Sequence, residues 1–195
     1  MTRVTKSLCG VDFDLNQGEA PPIFIFGIRK SGSSIMNSMV NAVAKFNGTE
    51  LVDVAGKLFQ HGVRVEDWRD DPGLADFFLP GNVYGGFRTA PYPIFDRPAF
   101  AEARGILLVR DPRDALCSEY FSNAYTHSLP AEGPARDQMI AERAATLAAS
   151  IEEFARTKAQ RFRTTMREYL PLLTHPGFRL YHYEKAFMDK GWFLR

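Results

Sequence analysis

The feature that most constrains the fold is a short apolar run that leads through a Gly/Ser turn into an amphipathic segment. Residues 22–27, PIFIFG, are bounded by Pro and Gly, which is typical of a strand buried on both faces in a parallel sheet. Residues 35–46 then carry apolar side chains at helical spacing, and Asn47-Gly48 supplies a helix stop. The predicted order is therefore strand, loop, helix.

A second apolar run predicts another buried strand at residues 105–110, GILLVR. Asp111-Pro112 ends this strand, and a helix is expected over residues 112–125, because proline is well tolerated in a first helical turn. Weaker strand signals lie at residues 50–54, 82–88 and 178–183. A long helical stretch is predicted over residues 135–170. Strands separated by helices predict a three-layer α/β/α fold around a central, mostly parallel sheet.

Length and charge restrict the class of protein. The 195 residues suit one domain with its own hydrophobic core, so we expect a single domain over residues 1–195, with residues 1–20 as an N-terminal extension. The net charge of +1 argues against the global basic field of many nucleic-acid-binding proteins, so an anion site must be local. We therefore expect no nucleic-acid partner.

The sequence also predicts a cytoplasmic location. The first 20 residues lack the apolar segment of a secretory signal, and no stretch is long and apolar enough to cross a bilayer, so no membrane association is expected. Cys9 and Cys117 lie far apart in the chain and indicate neither a disulfide framework nor a zinc site.

The loop between the first buried strand and its helix, residues 28–34 (IRKSGSS), is predicted to bind an anion. The first N–H groups of the helix have no intrahelical partners, and the helix dipole favours negative charge there. Gly32 permits close approach of the backbone, and Lys30 supplies a charge. The other candidate ligands in the loop are Arg29, Ser31, Ser33 and Ser34. A loop that only turns the chain and caps the helix is the alternative interpretation.

This loop differs from a Walker A motif. That motif requires a lysine after its second glycine, whereas Lys30 precedes Gly32. The difference disfavours an ordinary ATP- or GTP-using enzyme.

The segment after the second buried strand, residues 109–114 (VRDPRD), carries a second candidate anion ligand. Arg110 stands at the strand end, and arginine is a natural bidentate partner for phosphate. The hydroxyl of Ser118, in the following helix, can share the same phosphate oxygens. The alternative is an Arg-Asp-Arg-Asp network that only secures the helix start. Both candidate sites follow the carboxyl ends of strands, where parallel sheets place ligands.

Together these segments resemble the sulfotransferase family, which uses 3′-phosphoadenosine-5′-phosphosulfate (PAPS). The shared order is strand, KSGSS, helix and then strand, RDPRD, helix with Ser-x-Tyr; residues 180–185 (LYHYEK) are also similar to the family's strand ending in Tyr-Glu-Asp. The resemblance covers about residues 22–195. It implies a P-loop-like sulfotransferase fold and transfer of a sulfuryl group to a hydroxyl or amine of a small-molecule or glycan acceptor, without a metal.

The resemblance also implies a role for each matched residue. The first loop, including Arg29, would hold the 5′-phosphosulfate, whereas Arg110 and Ser118 would hold the 3′-phosphate. Tyr183 would lie near the nucleotide. Lys30 would in addition stabilise charge on the bridging oxygen during transfer, as in phosphoryl transfer.

The chain departs from the family pattern at the residue that deprotonates the acceptor. Familiar cytosolic members carry that base as the histidine of a Lys-Thr-His segment. The matching segment here is Arg88-Thr89-Ala90, so the base is absent, and Arg88 cannot replace it because an arginine cannot accept a proton. His61 is the first substitute, because it follows a helix-like segment that could line the acceptor pocket. The other candidates are Asp53 and Glu66, whereas His127 and His175 are interpreted as loop residues and His182 as packing beside Tyr183.

A second departure is at the C-terminus. The family's Arg-Lys-Gly-rich segment, which closes over the 3′-phosphate, would follow residues 184–195, so we expect that this sequence lacks it. The alternative function is a non-catalytic nucleotide-binding or interaction module of the same fold. A divergent nucleotide kinase is the third possibility, and Mg²⁺-dependent ATP turnover would identify it.

Overall fold

The chain begins with a β-hairpin. The computed structural model describes residues 2–95, 97–189 and 191, and its first strands, β1 (Thr2–Leu8) and β2 (Val11–Gln17), pair antiparallel. Val11, Phe13 and Leu15 alternate with polar residues and are buried in the main hydrophobic core. Residues 1–20 are therefore not the separate extension that the sequence suggests. The apolar face of the hairpin is part of the core.

The central sheet confirms the predicted α/β class. Its strands are β3 (Ile23–Gly27), β4 (Leu51–Asp53), β5 (Val83–Phe87), β6 (Arg104–Val109) and β7 (Phe178–His182). They lie in the order β4-β5-β3-β6-β7, and each pair of neighbours is parallel. Helices flank the sheet, as expected for a three-layer α/β/α fold.

The helices follow the predicted pattern with two differences. Their bounds are α1 (Ser33–Phe46), α2 (Val54–Gln60), α3 (Leu74–Phe77), α4 (Pro98–Ala101), α5 (Pro112–Phe121), α6 (Pro134–Ala148), α7 (Ile151–Glu168), α8 (Leu170–Thr174) and α9 (Tyr183–Met188). The helix predicted over residues 112–125 changes to a π-helical turn over Ser122–Thr126. The long helical stretch breaks before Ser150, which forms a capping box with Glu153. No helix within the described ranges is long and apolar enough to cross a membrane.

Strand β3 is apolar throughout because both of its faces are covered. Phe24 and Phe26 point into the larger core cluster, whereas Ile25 points into a second cluster on the other face. The aromatic rings of the larger cluster are closely packed; the rings of Phe24 and Phe26, for example, are stacked with centroids 5.5 Å apart. This core fixes the carboxyl end of β3 and the loop that follows it.

The strand order creates a ligand crevice at the carboxyl end of the sheet. After β3 the chain moves to β4 on one side of the sheet, and after β6 it moves to β7 on the other side. β3 and β6 are parallel neighbours, and the connections that leave them run to opposite edges of the sheet. In open α/β sheets, ligands bind at such a switch point.

Candidate functional site

The loop after β3 leaves the start of α1 open to an anion. Gly32 caps the helix with φ 83°, and within the described residues no side chain caps the helix and no acidic residue lies in its first turn. A Cβ at Gly32 would lie 2.8 Å from the rings of Tyr183 and Phe187, so only glycine fits. Lys30 also has a positive φ, 63°, which is uncommon for a residue with a Cβ and occurs most often at functional sites.

The three serines of the loop have different roles. Ser31 is fully buried, and its hydroxyl donates to the Ile28 carbonyl at 2.7 Å, so it shapes the loop and does not line the cleft. Ser33 and Ser34 do line the cleft. The hydroxyl predicted for Ser31 as an anion ligand is therefore used inside the protein, whereas Ser33 and Ser34 are placed as predicted.

Arg110 reaches the same cleft from the end of β6. Its Nη1 donates to the Lys30 carbonyl at 3.0 Å, and its guanidinium lies 4.4 Å from the centre of the Tyr183 ring. Its Nε is buried and has no hydrogen-bond partner among the described residues. A buried donor of this kind is costly unless a ligand satisfies it. Ser118 lies in the next helix and lines the same cleft.

The other charged residues of the RDPRD segment form a network that secures the start of α5, which is the alternative that the sequence leaves open for this segment. Asp111 caps α5 by accepting from the Arg113 backbone N–H at 2.9 Å, and it also binds the Arg113 guanidinium. These hydrogen bonds lower the pKa of Asp111 to about 2. Glu184, at the start of α9, accepts from the Asp111 backbone N–H at 2.9 Å. The segment therefore divides into a structural part and a single cleft-facing residue, Arg110.

These elements enclose a cleft of about 890 Å³. Its cationic lining residues are Arg29, Lys30, Arg88 and Arg110, and its acidic lining residues are Asp53 and Glu119. Among the described residues, only Arg29 of the four cations forms an ion pair, whereas Lys30, Arg88 and Arg110 have no carboxylate within 4.0 Å. Three cations without an acidic partner in one cleft create a positive electrostatic potential that favours a bound anion.

The charges of the cleft act on one another. Burial lowers the pKa of Lys30 most; the Glu119 carboxylate opposes that shift, while Arg88, Arg110 and Arg29 reinforce it. Arg88 donates to the Ser34 hydroxyl at 3.1 Å and to the Gly86 carbonyl at 3.1 Å. Bound negative charge would relieve the repulsion among these cations.

Glu119 organises the opposite wall. It is 1% exposed, and its Oε1 accepts from Arg29 at 3.1 Å and also from Arg161. Burial raises the pKa of Glu119, but the charges and hydrogen bonds of the two arginines outweigh it and bring the pKa below its ordinary value of 4.5. Arg29 is therefore at the cleft, as predicted, with its charge already paired.

Replacing Glu119 with glutamine is expected to lower the free energy of unfolding by about 2 kcal/mol at neutral pH, because two arginines lose a buried anionic partner. The pKa of Glu119 is lower in the folded than in the unfolded state. Its stabilising contribution is therefore complete above pH 4.5 and is lost as the pH falls below that value. Urea unfolding of both proteins over this pH range measures the effect.

Glu19→Gln, at an exposed position, is the matched control and should leave stability unchanged. An equal loss of stability with acid in the wild type and in Glu119→Gln would contradict the role of this ion-pair network.

Of the three residues predicted as candidate bases for the acceptor, only Asp53 lines the cleft. His61 is exposed at the end of α2, its Nδ1 lies 2.9 Å from the Lys57 carbonyl, and it does not line the cleft. Asp53 lines the cleft, but its carboxylate caps α2 by accepting from Gly56 N–H at 3.0 Å. Glu66 lies in neighbouring hollows and not in the cleft. His61 therefore does not lie at the cleft, because α2 ends with this side chain facing solvent.

A histidine that the sequence suggests is only a loop residue, His127, lies at the cleft. The π-helical turn over Ser122–Thr126 ends at His127, and both Asn123 and His127 line the cleft. The Nδ2 of Asn123 is buried without a hydrogen-bond partner in the described part of the chain. The change from α- to π-helical geometry after α5 determines where these side chains point, and helical periodicity alone does not reveal it.

Comparison with known proteins assigns no family: neither a scan against protein-family models nor a search of curated proteins finds a match for this chain. Within residues 2–95, 97–189 and 191, no group of three or more His, Cys, Asp and Glu side chains could hold a metal ion. Function is therefore inferred from the cleft itself.

Proposed function

We propose that this protein is a cytoplasmic sulfotransferase that moves a sulfuryl group from PAPS to a hydroxyl or amine of a small-molecule or glycan acceptor. The observation that carries the proposal is that one cleft is lined by the open start of α1 and by Lys30, Arg88 and Arg110, which have no carboxylate within 4.0 Å among the described residues. The ends of β3 and β6 thus offer two separate anion sites in one cleft. A nucleotide with phosphate groups at both its 5′ and 3′ positions matches that arrangement.

The second anion site suits a terminal phosphate. The guanidinium of Arg110 is held by the Lys30 carbonyl and the Tyr183 ring, and its buried Nε has no partner in the part of the chain that the structure describes. A phosphate oxygen would satisfy that donor, and the hydroxyl of Ser118 would serve the same group. In the proposed complex these residues hold the 3′-phosphate, and Tyr183 packs beside the nucleotide.

The first anion site suits the transferring group. The N–H groups at the start of α1, together with Ser33 and Ser34, would hold the 5′-phosphosulfate. Lys30 would stabilise negative charge at the bridging oxygen as the sulfuryl group leaves. Burial, reinforced by the cations around Lys30, lowers the pKa of its ammonium, which favours donation of a proton to that oxygen.

The other end of the cleft suits an acceptor with an apolar or ring-bearing body. The cleft is lined by Phe59, Trp68, Leu129 and Pro130, and also by Arg88 and Thr89. Arg88 donates to Ser34 and is placed to contact the sulfuryl oxygens. An acceptor hydroxyl entering from this side would meet the donor beside Lys30.

Binding and turnover distinguish the proposed enzyme from its alternatives. The purified chain is incubated with ³⁵S-labelled PAPS and a panel of phenols, alcohols and amines, with and without Mg²⁺, and in parallel with ATP and Mg²⁺. We expect sulfuryl transfer that is independent of Mg²⁺ and no ATP turnover. Binding of adenosine 3′,5′-bisphosphate (PAP) without any transfer would favour the non-catalytic module. ATP turnover that requires Mg²⁺ would identify a nucleotide kinase.

A further inference from the structure

The π-helical turn after α5 places one exposed histidine, His127, at the cleft. The His127 backbone N–H donates to the Ser122 carbonyl at 2.8 Å, a π-type bond spanning five residues. Arg143, on α6, donates to the carbonyls of both Asn123 and His127. The His127 ring also packs edge-on against Phe59, with centroids 6.0 Å apart. Backbone and ring are therefore both fixed, and single π turns are frequent at functional sites.

The hydrogen bonds of the His127 ring determine which nitrogen can accept a proton. Nδ1 lies 3.0 Å from the Ser128 carbonyl oxygen, which can only accept, so Nδ1 must carry the hydrogen and donate. The other nitrogen, Nε2, forms no hydrogen bond with any part of the chain that the structure describes. Neutral His127 thus presents a free lone pair on a ring that lines the cleft.

Burial and the surrounding charges favour the neutral form of the His127 imidazole. Burial lowers its pKa most, the hydrogen bond to Ser128 opposes that shift, and Lys30, Arg29 and Arg88 lower the pKa further. The pKa of His127 is therefore below its ordinary value of 6.5. The other charged groups near it, on the helices and loops that line the adjoining hollow, are Arg64, Glu66, Glu142 and Arg161, with Arg143 at its backbone.

We propose that His127 is the general base of the sulfuryl transfer, an inference that rests on the proposed function. The acceptor O–H bond breaks and its proton passes to Nε2 of His127. The acceptor oxygen forms a bond to sulfur, and the bond from sulfur to the bridging oxygen of PAPS breaks. The products are the sulfated acceptor, PAP and His127 as the imidazolium. His127 thus takes the role for which the sequence suggested His61.

The neighbouring Asn123 positions the acceptor for this step. Its Nδ2 is buried, has no partner in the described residues and belongs to the same cleft wall as His127. An oxygen on the acceptor near the reacting hydroxyl would satisfy that donor. Diols, sugars and hydroxy acids carry such an oxygen, whereas simple monohydric alcohols do not. We therefore expect acceptors of the former kind to be used best.

The ionisation of His127 provides the first test. Proton–nitrogen correlation spectra of the full chain labelled with ¹⁵N-histidine are recorded over a range of pH, and signals are assigned with His127→Gln and His61→Gln. We expect neutral His127 to carry its hydrogen on Nδ1 and to titrate below the ordinary histidine value of 6.5. Addition of PAP should raise the pKa of His127, because the bound anion offsets Lys30 and Arg88. A neutral form with the hydrogen on Nε2, or a charged imidazole at neutral pH, would overturn the proposal.

Turnover provides the second test. His127→Gln should lower transfer from ³⁵S-labelled PAPS by ~100-fold or more and abolish the fall in rate at acidic pH, whereas PAP affinity stays unchanged. His61→Gln is the matched control and should keep the full rate. Wild-type rates in His127→Gln would refute His127 as the base while leaving the sulfotransferase assignment intact. Failure of the wild type to bind PAP would instead refute the proposed function.

Discussion

Under the proposed function, replacing Lys30 with alanine is expected to lower sulfuryl transfer by ~100- to 1000-fold, because the variant would lose the charge assigned to the bridging oxygen of the donor. The effect should fall mainly on turnover. PAP lacks the sulfuryl group, and its binding is expected to weaken much less, since Ser33, Arg110 and the start of α1 remain in place. Single-turnover transfer from ³⁵S-labelled PAPS, beside titration with PAP, separates the two effects.

Lys45→Ala is the matched control for this prediction. Lys45 is exposed in the last turn of α1, at the opposite end of the helix from the cleft. This variant should transfer at the wild-type rate. Equal rates in Lys30→Ala and Lys45→Ala would show that Lys30 does not act at the reacting centre, and the mechanism proposed above would fail even if PAP binds.

Replacing Arg110 with alanine is expected to weaken the proposed PAP binding by ~30- to 1000-fold, which corresponds to the ~2–4 kcal/mol lost with one partner of a buried, charged hydrogen bond. The loss should depend on the 3′-phosphate. Adenosine 5′-monophosphate (AMP) lacks that group and should bind wild type and variant equally. Isothermal titration of both nucleotides into both proteins measures the difference directly.

Arg113→Ala is the control for Arg110→Ala. Arg113 is three residues away, is 88% exposed and is paired with Asp111, so its loss removes a similar charge without touching the cleft. PAP affinity should be close to that of the wild type. If Arg110→Ala weakens PAP and AMP by the same factor, Arg110 serves the 5′ end and the assignment of the second anion site is wrong.

The parts of the fold that were predictable are those where a strand is buried on both faces. The apolar run of β3 and that of β6 can only be covered by layers on both sides, and the turn residues after each fix where they end. Because carboxyl ends of neighbouring parallel strands share one edge, Lys30 and Arg110 were expected together, and they meet there.

The hairpin at the start of the chain was missed although its signal is present. Val11, Phe13 and Leu15 alternate with polar residues, which is the pattern of a strand with one covered face. The segment is short and carries several charges, so its sequence alone does not show that a core covers its apolar face.

Several side-chain positions at the cleft depend on backbone geometry that the sequence does not display. Lys30 lies in the cleft as predicted but adopts a positive φ, and Ser31 is turned into the protein, where its hydroxyl donates to the Ile28 carbonyl. The π turn brings His127 to the cleft, whereas α2 ends with His61 in solvent. Residue type alone does not predict these positions, because each depends on a turn or on a helix end.

The most direct test of the central claim is isothermal titration of the wild-type chain with PAP, AMP and ATP with Mg²⁺. The cleft described above should bind one PAP per chain, without Mg²⁺ and more tightly than AMP, because both anion sites are then occupied. Absence of saturable PAP binding by folded protein at about millimolar ligand, or a preference for ATP with Mg²⁺ over PAP, would contradict the assignment of this cleft to PAPS.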